Sequence, residues 1–184
     1  MKCSNAPIDG LIIIEPDVYK DNRGFFLETY HVKRYEQAGI FEEFLQDNLS
    51  YSRKGVLRGL HFQKNYPQAK LVQVCIGEVF DVVVDLRRGS STFGHWFGIT
   101  LTGENLKQLF IPKGFAHGFC VLSDYALFCY KCSDLYVRED EGGLLWSDPE
   151  VDIKWPVKAP IISEKDAQLP RLSDLDSEKL PSAK

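Results

Sequence analysis

Short runs rich in Val, Ile, Phe and Tyr recur along this chain, each closed by Gly, Pro, Asn or Asp, and this punctuation admits little except β-structure. The runs fall at residues 11–14, 24–28, 71–76, 79–86, 95–101, 107–111, 117–122 and 126–132, and residues 56–63 are also strand-like. Repeated short strands of this kind close into a sandwich or a barrel. Alternation within residues 79–85 puts Asp81, Val83 and Asp85 on one face and Phe80, Val82 and Val84 on the other, so both faces are expected to be partly enclosed. With 184 residues, 44% of them hydrophobic, the chain holds one well-buried core and is too short for two comfortable domains. A single domain over residues 1–184 is therefore expected, with a flexible tail after about residue 172. Two helical segments decorate the sheets: residues 29–40, with Thr29 as cap and Gly39 near the end, and a short turn opened by the capping-box pattern Ser163-Glu164-Lys165-Asp166.

Charge and cysteine usage narrow the functional classes. A formal charge of -4, with both signs interspersed, supplies no basic field for nucleic acid, and no apolar run is long enough to cross a bilayer. Met1-Lys2-Cys3-Ser4-Asn5-Ala6-Pro7 lacks the apolar middle of a secretory signal, and five cysteines cannot all pair within one chain, so a reducing cytoplasm is expected. Cys129 and Cys132 have C-x-x-C spacing, yet they sit in a strand-like run whose alternation sends the two thiols to opposite faces. No second pair follows to complete a zinc site, which favours small buried hydrophobes.

The chemistry concentrates in Val56-Leu57-Arg58-Gly59-Leu60-His61-Phe62-Gln63 and Lys70-Leu71-Val72-Gln73-Val74. Imidazole is the side chain whose ordinary titration falls near neutral pH, while guanidinium and ammonium groups can hold a phosphate or steady a developing oxyanion. Strict alternation would part Arg58 from His61, but a bulge at Gly59 shifts the register by one and turns both into the same cavity. His117 follows a Pro-Lys-Gly turn into a strand, and Tyr130 interrupts an apolar strand where its hydroxyl needs a partner or a wet cavity. Taken singly, each of these is as readily a structural residue. Two histidines on such strands also invite a metal, but Gln63 stands where a second imidazole would be needed, so no metal is expected.

Together these motifs closely resemble the dTDP-4-dehydrorhamnose 3,5-epimerases. The resemblance is carried by Asp21-Asn22-Arg23-Gly24-Phe25-Phe26-Leu27-Glu28, Gln46-Asp47-Asn48, the 56–63 segment, Pro112-Lys113-Gly114-Phe115-Ala116-His117-Gly118-Phe119 and Ser163-Glu164-Lys165-Asp166. It implies an all-β, cupin-type jelly roll (a double-stranded β-helix) with a few short peripheral helices, and a homodimer. It also implies a cofactor-independent enzyme that inverts carbons 3 and 5 of a dTDP-linked 4-keto-6-deoxyhexose to give dTDP-4-dehydro-L-rhamnose. Carried over by motif, His61 is the base, Asp166 its carboxylate partner, Tyr130 the acid on the opposite ring face and Lys70 the enolate stabiliser, with Asp81 and His117 completing the pocket. On residue pattern alone Asp166 is a helix-capping carboxylate.

Nucleotide and diphosphate contacts carry over to Arg23, Phe26, Glu28, Gln46, Asn48, Arg58 and Tyr136, with the early segment reaching across the dimer interface. Base, acid and lysine positions match the family pattern; Phe62 and the Cys-rich strand vary conservatively. Three other readings share parts of this pattern: a mono-epimerase acting at one carbon, a non-catalytic jelly-roll module binding a sugar nucleotide, and a metal-dependent cupin oxygenase.

Overall fold

A computed structural model describes residues 1–176, 180 and 181. In chain order the elements are β1 (Lys2–Asn5), β2 (Ile12–Glu15), β3 (Tyr19–Asp21), β4 (Gly24–Phe26), α1 (Val32–Gln37), β5 (Gln46–Arg53), β6 (Leu57–Gln63) and β7 (Lys70–Ile76). There follow β8 (Glu78–Asp85), β9 (Trp96–Thr102), β10 (Gln108–Ile111), β11 (Phe115–Val121), β12 (Tyr125–Cys132), β13 (Glu141–Gly143) and α2 (Glu164–Ala167). One sheet runs β1-β2-β10-β7-β12-β5, a second runs β13-β6-β11-β8-β9, and β3 and β4 form a separate hairpin. The two large sheets pack face to face as a jelly roll, as expected for strands with apolar residues on an inward face.

Three apolar layers follow from the alternation. Val72, Val74, Leu109 and Phe128 from the first sheet meet Val79, Val83, Leu101 and Phe119 from the second. Val82 and Val84, on the opposite face of β8, pack with Leu60, Leu144 and Val151 in a layer formed by the returning C-terminal chain. The two-sided enclosure expected for residues 79–85 is what the structure has. On the outer face of the first sheet, Tyr35 of α1 packs with Ile14, Leu71 and Phe110.

The helix differs from the expectation at its start. It spans only Val32–Gln37, is capped by His31 without a side-chain bond, and leaves Thr29 outside. The Thr29 carbonyl instead accepts from Tyr35 Oη at 3.0 Å and Gln108 Nε2 at 2.8 Å, so the tertiary fold claims the residue the local pattern assigns to the cap. Gly39, at φ +86°, closes the helix as expected. Strand β5 escapes the hydrophobic pattern because its sequence is Gln-Asp-Asn-Leu-Ser-Tyr-Ser-Arg, and it lies at a sheet edge. Beyond residue 172 the described chain is docked: Leu172 and Leu180 are buried, Leu172 N donates to Asp148 at 2.6 Å, and Arg88 N donates to the Pro181 carbonyl at 2.7 Å. The rest of the segment expected to be flexible, residues 177–179 and 182–184, lies outside the described residues.

The bulge expected at Gly59 is present. His61 pairs with His117 and Arg58 with Phe119, so three steps along β6 match two along β11. Gly59 has φ +114°, and a Cβ there would lie 2.7 Å from Gly118 Cα and 2.8 Å from the His117 carbonyl. Both the conformation and the close approach demand glycine. Gly59→Ala is therefore expected to lower unfolding stability by about 2 kcal/mol or more, measurable as a lower urea midpoint; an unchanged midpoint would refute the packing argument.

Candidate active site

A cavity of about 530 Å³ opens at one end of the sandwich, bordered by Arg58, His61, Lys70, His117, Tyr130 and Asp166. An adjoining hollow of about 270 Å³ shares His61, Lys70 and Tyr130 and adds Gln46, Asn48, Tyr136 and Glu141. Strand parity explains the convergence. Lys70 lies on the inward face of β7 with Val72 and Val74, and Tyr130 on the inward face of β12 with Phe128, while the Gly59 bulge brings Arg58 and His61 to the same wall.

His61 is held from two sides. Its Nε2 lies 3.0 Å from Asp166 Oδ1, and its Nδ1 lies 3.8 Å from Glu141 Oε1. The other Asp166 oxygen accepts the Gly59 N–H at 3.1 Å, so one carboxylate clamps both the bulge and the imidazole. Asp166 reaches this point because Ser163 Oγ caps α2 by accepting from Asp166 N at 3.1 Å. Capping the turn and partnering the histidine are thus compatible roles. Burial is the largest influence on Asp166 and raises its affinity for a proton, but hydrogen bonds from His61 and Gly59 outweigh it and hold the carboxyl below its usual range.

Glu141 was not expected from sequence. Burial is again the largest influence and acts upward, yet Glu141 Oε2 accepts from Lys165 Nζ at 2.5 Å and Tyr136 Oη at 2.7 Å, and the net effect is downward. In sequence Lys165 reads only as part of a capping motif, and nothing in the acidic stretch Glu139-Asp140-Glu141 distinguishes the last carboxylate from solvated neighbours. Ser52 was also missed; its Oγ accepts from Arg58 Nε at 2.9 Å and fixes the guanidinium.

His117 Nε2 lies 2.8 Å from Asp81 Oδ2, and Asp81 is fully buried behind it rather than in the cavity wall. Burial, chiefly, pushes the His117 pKa down despite that carboxylate. Lys70 is likewise pushed down by burial, and Tyr130 up. Arg23, Phe26 and Glu28 are not brought to this cavity within one chain. Arg23 pairs with Asp21 on the β3–β4 hairpin, Phe26 is exposed, and Glu28 pairs with Arg34. Among the described residues, no group of three or more His, Cys, Asp and Glu is placed to hold a metal ion, and no helix is long and apolar enough to cross a membrane.

A jelly roll whose end cavity joins a carboxylate-backed imidazole to a lysine and a phenol belongs to the class of β-sandwich proteins equipped for proton transfer. The model of the dTDP-4-dehydrorhamnose 3,5-epimerase family matches residues 5–174, and the chain belongs to that family. It is 51% identical over 178 residues to the dTDP-4-dehydrorhamnose 3,5-epimerase of Shigella flexneri, covering 96% of this chain and 98% of the relative. A crystal structure of the Legionella pneumophila dTDP-6-deoxy-D-glucose-3,5-epimerase in complex with dTDP-4-keto-L-rhamnose has 52% identity and a TM-score of 0.97, covering 100% of this chain and 98% of that one. The 3'-monoepimerase of Streptomyces bikiniensis in complex with dTDP-quinovose has 32% identity and a TM-score of 0.88, covering 96% of this chain and 91% of the other.

The depressed Asp166 pKa carries a stability consequence. A carboxylate whose folded pKa lies below its unfolded value of about 3.9 stabilises the fold fully above that value and loses the contribution as pH falls through the folded pKa. Asp166→Asn is therefore expected to be about 1.5–3 kcal/mol less stable at pH 7, with a flatter loss of stability below about pH 4 than the wild type. Urea unfolding from pH 7 to pH 3 measures both, and parallel curves for the two proteins would contradict the assignment.

Proposed function

We propose that this chain inverts carbons 3 and 5 of dTDP-4-dehydro-6-deoxy-D-glucose, giving dTDP-4-dehydro-L-rhamnose in dTDP-rhamnose biosynthesis. The observation carrying this reading is the meeting of His61, Asp166, Lys70 and Tyr130 around one cavity in a member of this family. Epimerisation leaves every oxidation state unchanged overall, so side chains that move protons and stabilise an enolate suffice without an organic cofactor.

The ketone at carbon 4 acidifies the hydrogens on both neighbouring carbons, and removing either one places charge on its oxygen. Lys70 takes that charge through a charge-assisted hydrogen bond, worth on the order of 3 kcal/mol in a shielded site. With the His61 Nε2–H donating to Asp166, the imidazole lone pair sits on Nδ1, and the carboxylate favours the imidazolium formed when a carbon-bound proton arrives. Tyr130 reprotonates the carbon from the other ring face; burial raises its pKa and keeps the phenol protonated at neutral pH. His117, steadied by Asp81, completes the wall.

Arg58 binds the diphosphate, with Gln46, Asn48 and Tyr136 in the adjoining hollow taking the nucleotide. The chain functions as a homodimer in the cytoplasm, the β3–β4 hairpin carrying Arg23 and Phe26, with Glu28 just beyond it, to the partner's cavity. Support for the dimer comes from the outer face of the first sheet, where Leu49, Tyr51, Ile76 and Tyr125 are 45–66% exposed and the rings of Tyr51 and Tyr125 stack at 5.7 Å. The five free thiols suit a reducing compartment.

Incubation with dTDP-4-keto-6-deoxyglucose in heavy water, followed by NMR, tests the chemistry. Deuterium is expected at carbons 3 and 5 of the inverted product; label and inversion at one carbon alone would favour the mono-epimerase reading, which the Streptomyces bikiniensis likeness supports. His61→Ala should slow exchange at both carbons at least about a hundredfold, and wild-type exchange in that variant would remove His61 as the base. Tyr130→Phe should keep partial exchange while losing inversion at carbon 5; equal loss of both would remove Tyr130 as the acid. In sedimentation, the wild type is expected at twice 21.0 kDa, and the pair Leu49→Asp with Tyr51→Asp at one subunit's mass with a raised KM. A monomeric, fully active wild type would overturn the dimer.

A further inference from the structure

Gln63 enters the sequence reading only as the residue standing where a second imidazole would be needed. In the structure it is buried at the end of β6 with both ends of its amide engaged. Its Nε2 donates to the Tyr66 carbonyl at 2.7 Å and to the Leu135 carbonyl at 3.1 Å, and its Oε1 accepts the Val137 N–H at 2.6 Å. A carboxamide has its donors on one atom and its acceptor on the other, so turning it over would set N–H against N–H and oxygen against oxygen. Two more glutamines grip the same segment: Gln68 Nε2 donates to the Asp134 carbonyl at 2.8 Å, and Gln46 Oε1 accepts the Tyr136 N–H at 2.9 Å. Residues 134–137 belong to no helix or strand, and Leu135 and Tyr136 within them are 56% and 50% exposed.

A segment with so little buried apolar surface keeps one backbone path only if its own polar groups are tied down. The neighbouring strands supply those ties. Gln63 pairs with Glu141 across the β6–β13 ladder, and Glu141 Oε2 accepts from Tyr136 Oη at 2.7 Å. Tyr136 is thus fixed through its own N–H by Gln46, through the backbone on either side by Gln63, and through its hydroxyl by Glu141, beside the hollow of about 270 Å³. Given the nucleotide site proposed above, we propose that Gln63 is a positioning residue for the nucleotide: its amide holds residues 135–137 so that Tyr136 stands in place to pack on the base before the ligand arrives. Ordering a contact in advance lowers the entropy lost on binding. The base lies away from the carbons that exchange protons, so it is bound alike in ground and transition states, and loosening Tyr136 raises KM while kcat stays. His61, two residues earlier on β6, keeps its own clamp through Asp166.

Calorimetry with dTDP, alongside steady-state kinetics, tests this on the full chain. Gln63→Met keeps a side chain of similar size without the three hydrogen bonds. It is expected to weaken dTDP binding about tenfold and to raise KM by a similar factor, with kcat and deuterium incorporation at saturating substrate unchanged. Tyr136→Ala should also weaken dTDP, and adding Gln63→Met to it should have no further effect, because the two act through one contact. A wild-type Kd in Gln63→Met, a fall in kcat with Kd unchanged, or an additive penalty in the double variant would each overturn the proposal. Affinity for dTDP is read without turnover, so absence of the Gln63 effect in an active enzyme overturns only this inference, whereas absent turnover with the effect intact overturns only the epimerase reading. Amide exchange on the unsubstituted protein without dTDP should find the Tyr136 and Val137 N–H groups slowed at least about a hundredfold relative to an unfolded chain. Unprotected exchange at both would overturn the ordering even where Gln63→Met fails to fold.

Discussion

One carboxylate holds the reactive end of this molecule together. Asp166 accepts from the Gly59 backbone and meets the His61 imidazole, joining a bulge in the first third of the chain to a helical turn more than a hundred residues later. A buried carboxylate must be compensated for its lost hydration, and here two groups of β6, the Gly59 N–H and the His61 imidazole, do so. Geometry and electrostatics reinforce each other: the same contacts that keep Asp166 ionised fix the histidine ring and anchor the C-terminal chain over the second sheet.

The layers around this clamp explain why the cavity keeps its shape. His117 and Tyr130 each lie against Phe128, at ring separations of 6.0 and 5.9 Å, and Phe128 stacks on Phe119 at 4.2 Å, so rotation of either would disturb that packing. Behind His117, Asp81 is sealed from solvent and uses one oxygen for the imidazole. Proton transfer at two faces of a sugar ring needs groups that stay on opposite sides of the occupant, and a rigid two-sheet sandwich provides that separation more reliably than mobile loops.

Much of this architecture was legible in the residues. Most strands announce themselves because inward positions are apolar and the turns carry Gly, Pro, Asn or Asp. Strand β5 did not, since its inward residues Gln46, Asn48, Ser50 and Ser52 face the polar end of the sandwich. Thr29 misled for a different reason: its local capping propensity lost to hydrogen bonds from Tyr35 and Gln108, the latter on a distant strand. Glu141 and Lys165 were unreadable as a pair because their meeting depends on β13 and α2 converging from separate parts of the chain.

By itself the sequence determined the β-rich class, a strand able to bulge at Gly59, and the residue types suited to proton chemistry, because alternation, turn propensity and intrinsic acidity are local properties. The tertiary structure alone decided which of those groups meet. It set Asp166 against His61, withdrew Asp81 behind His117, and left Arg23 and Phe26 away from the single-chain cavity. Such contacts follow from register and from the path of the returning chain, and a one-residue shift in either would turn the same side chains to opposite faces.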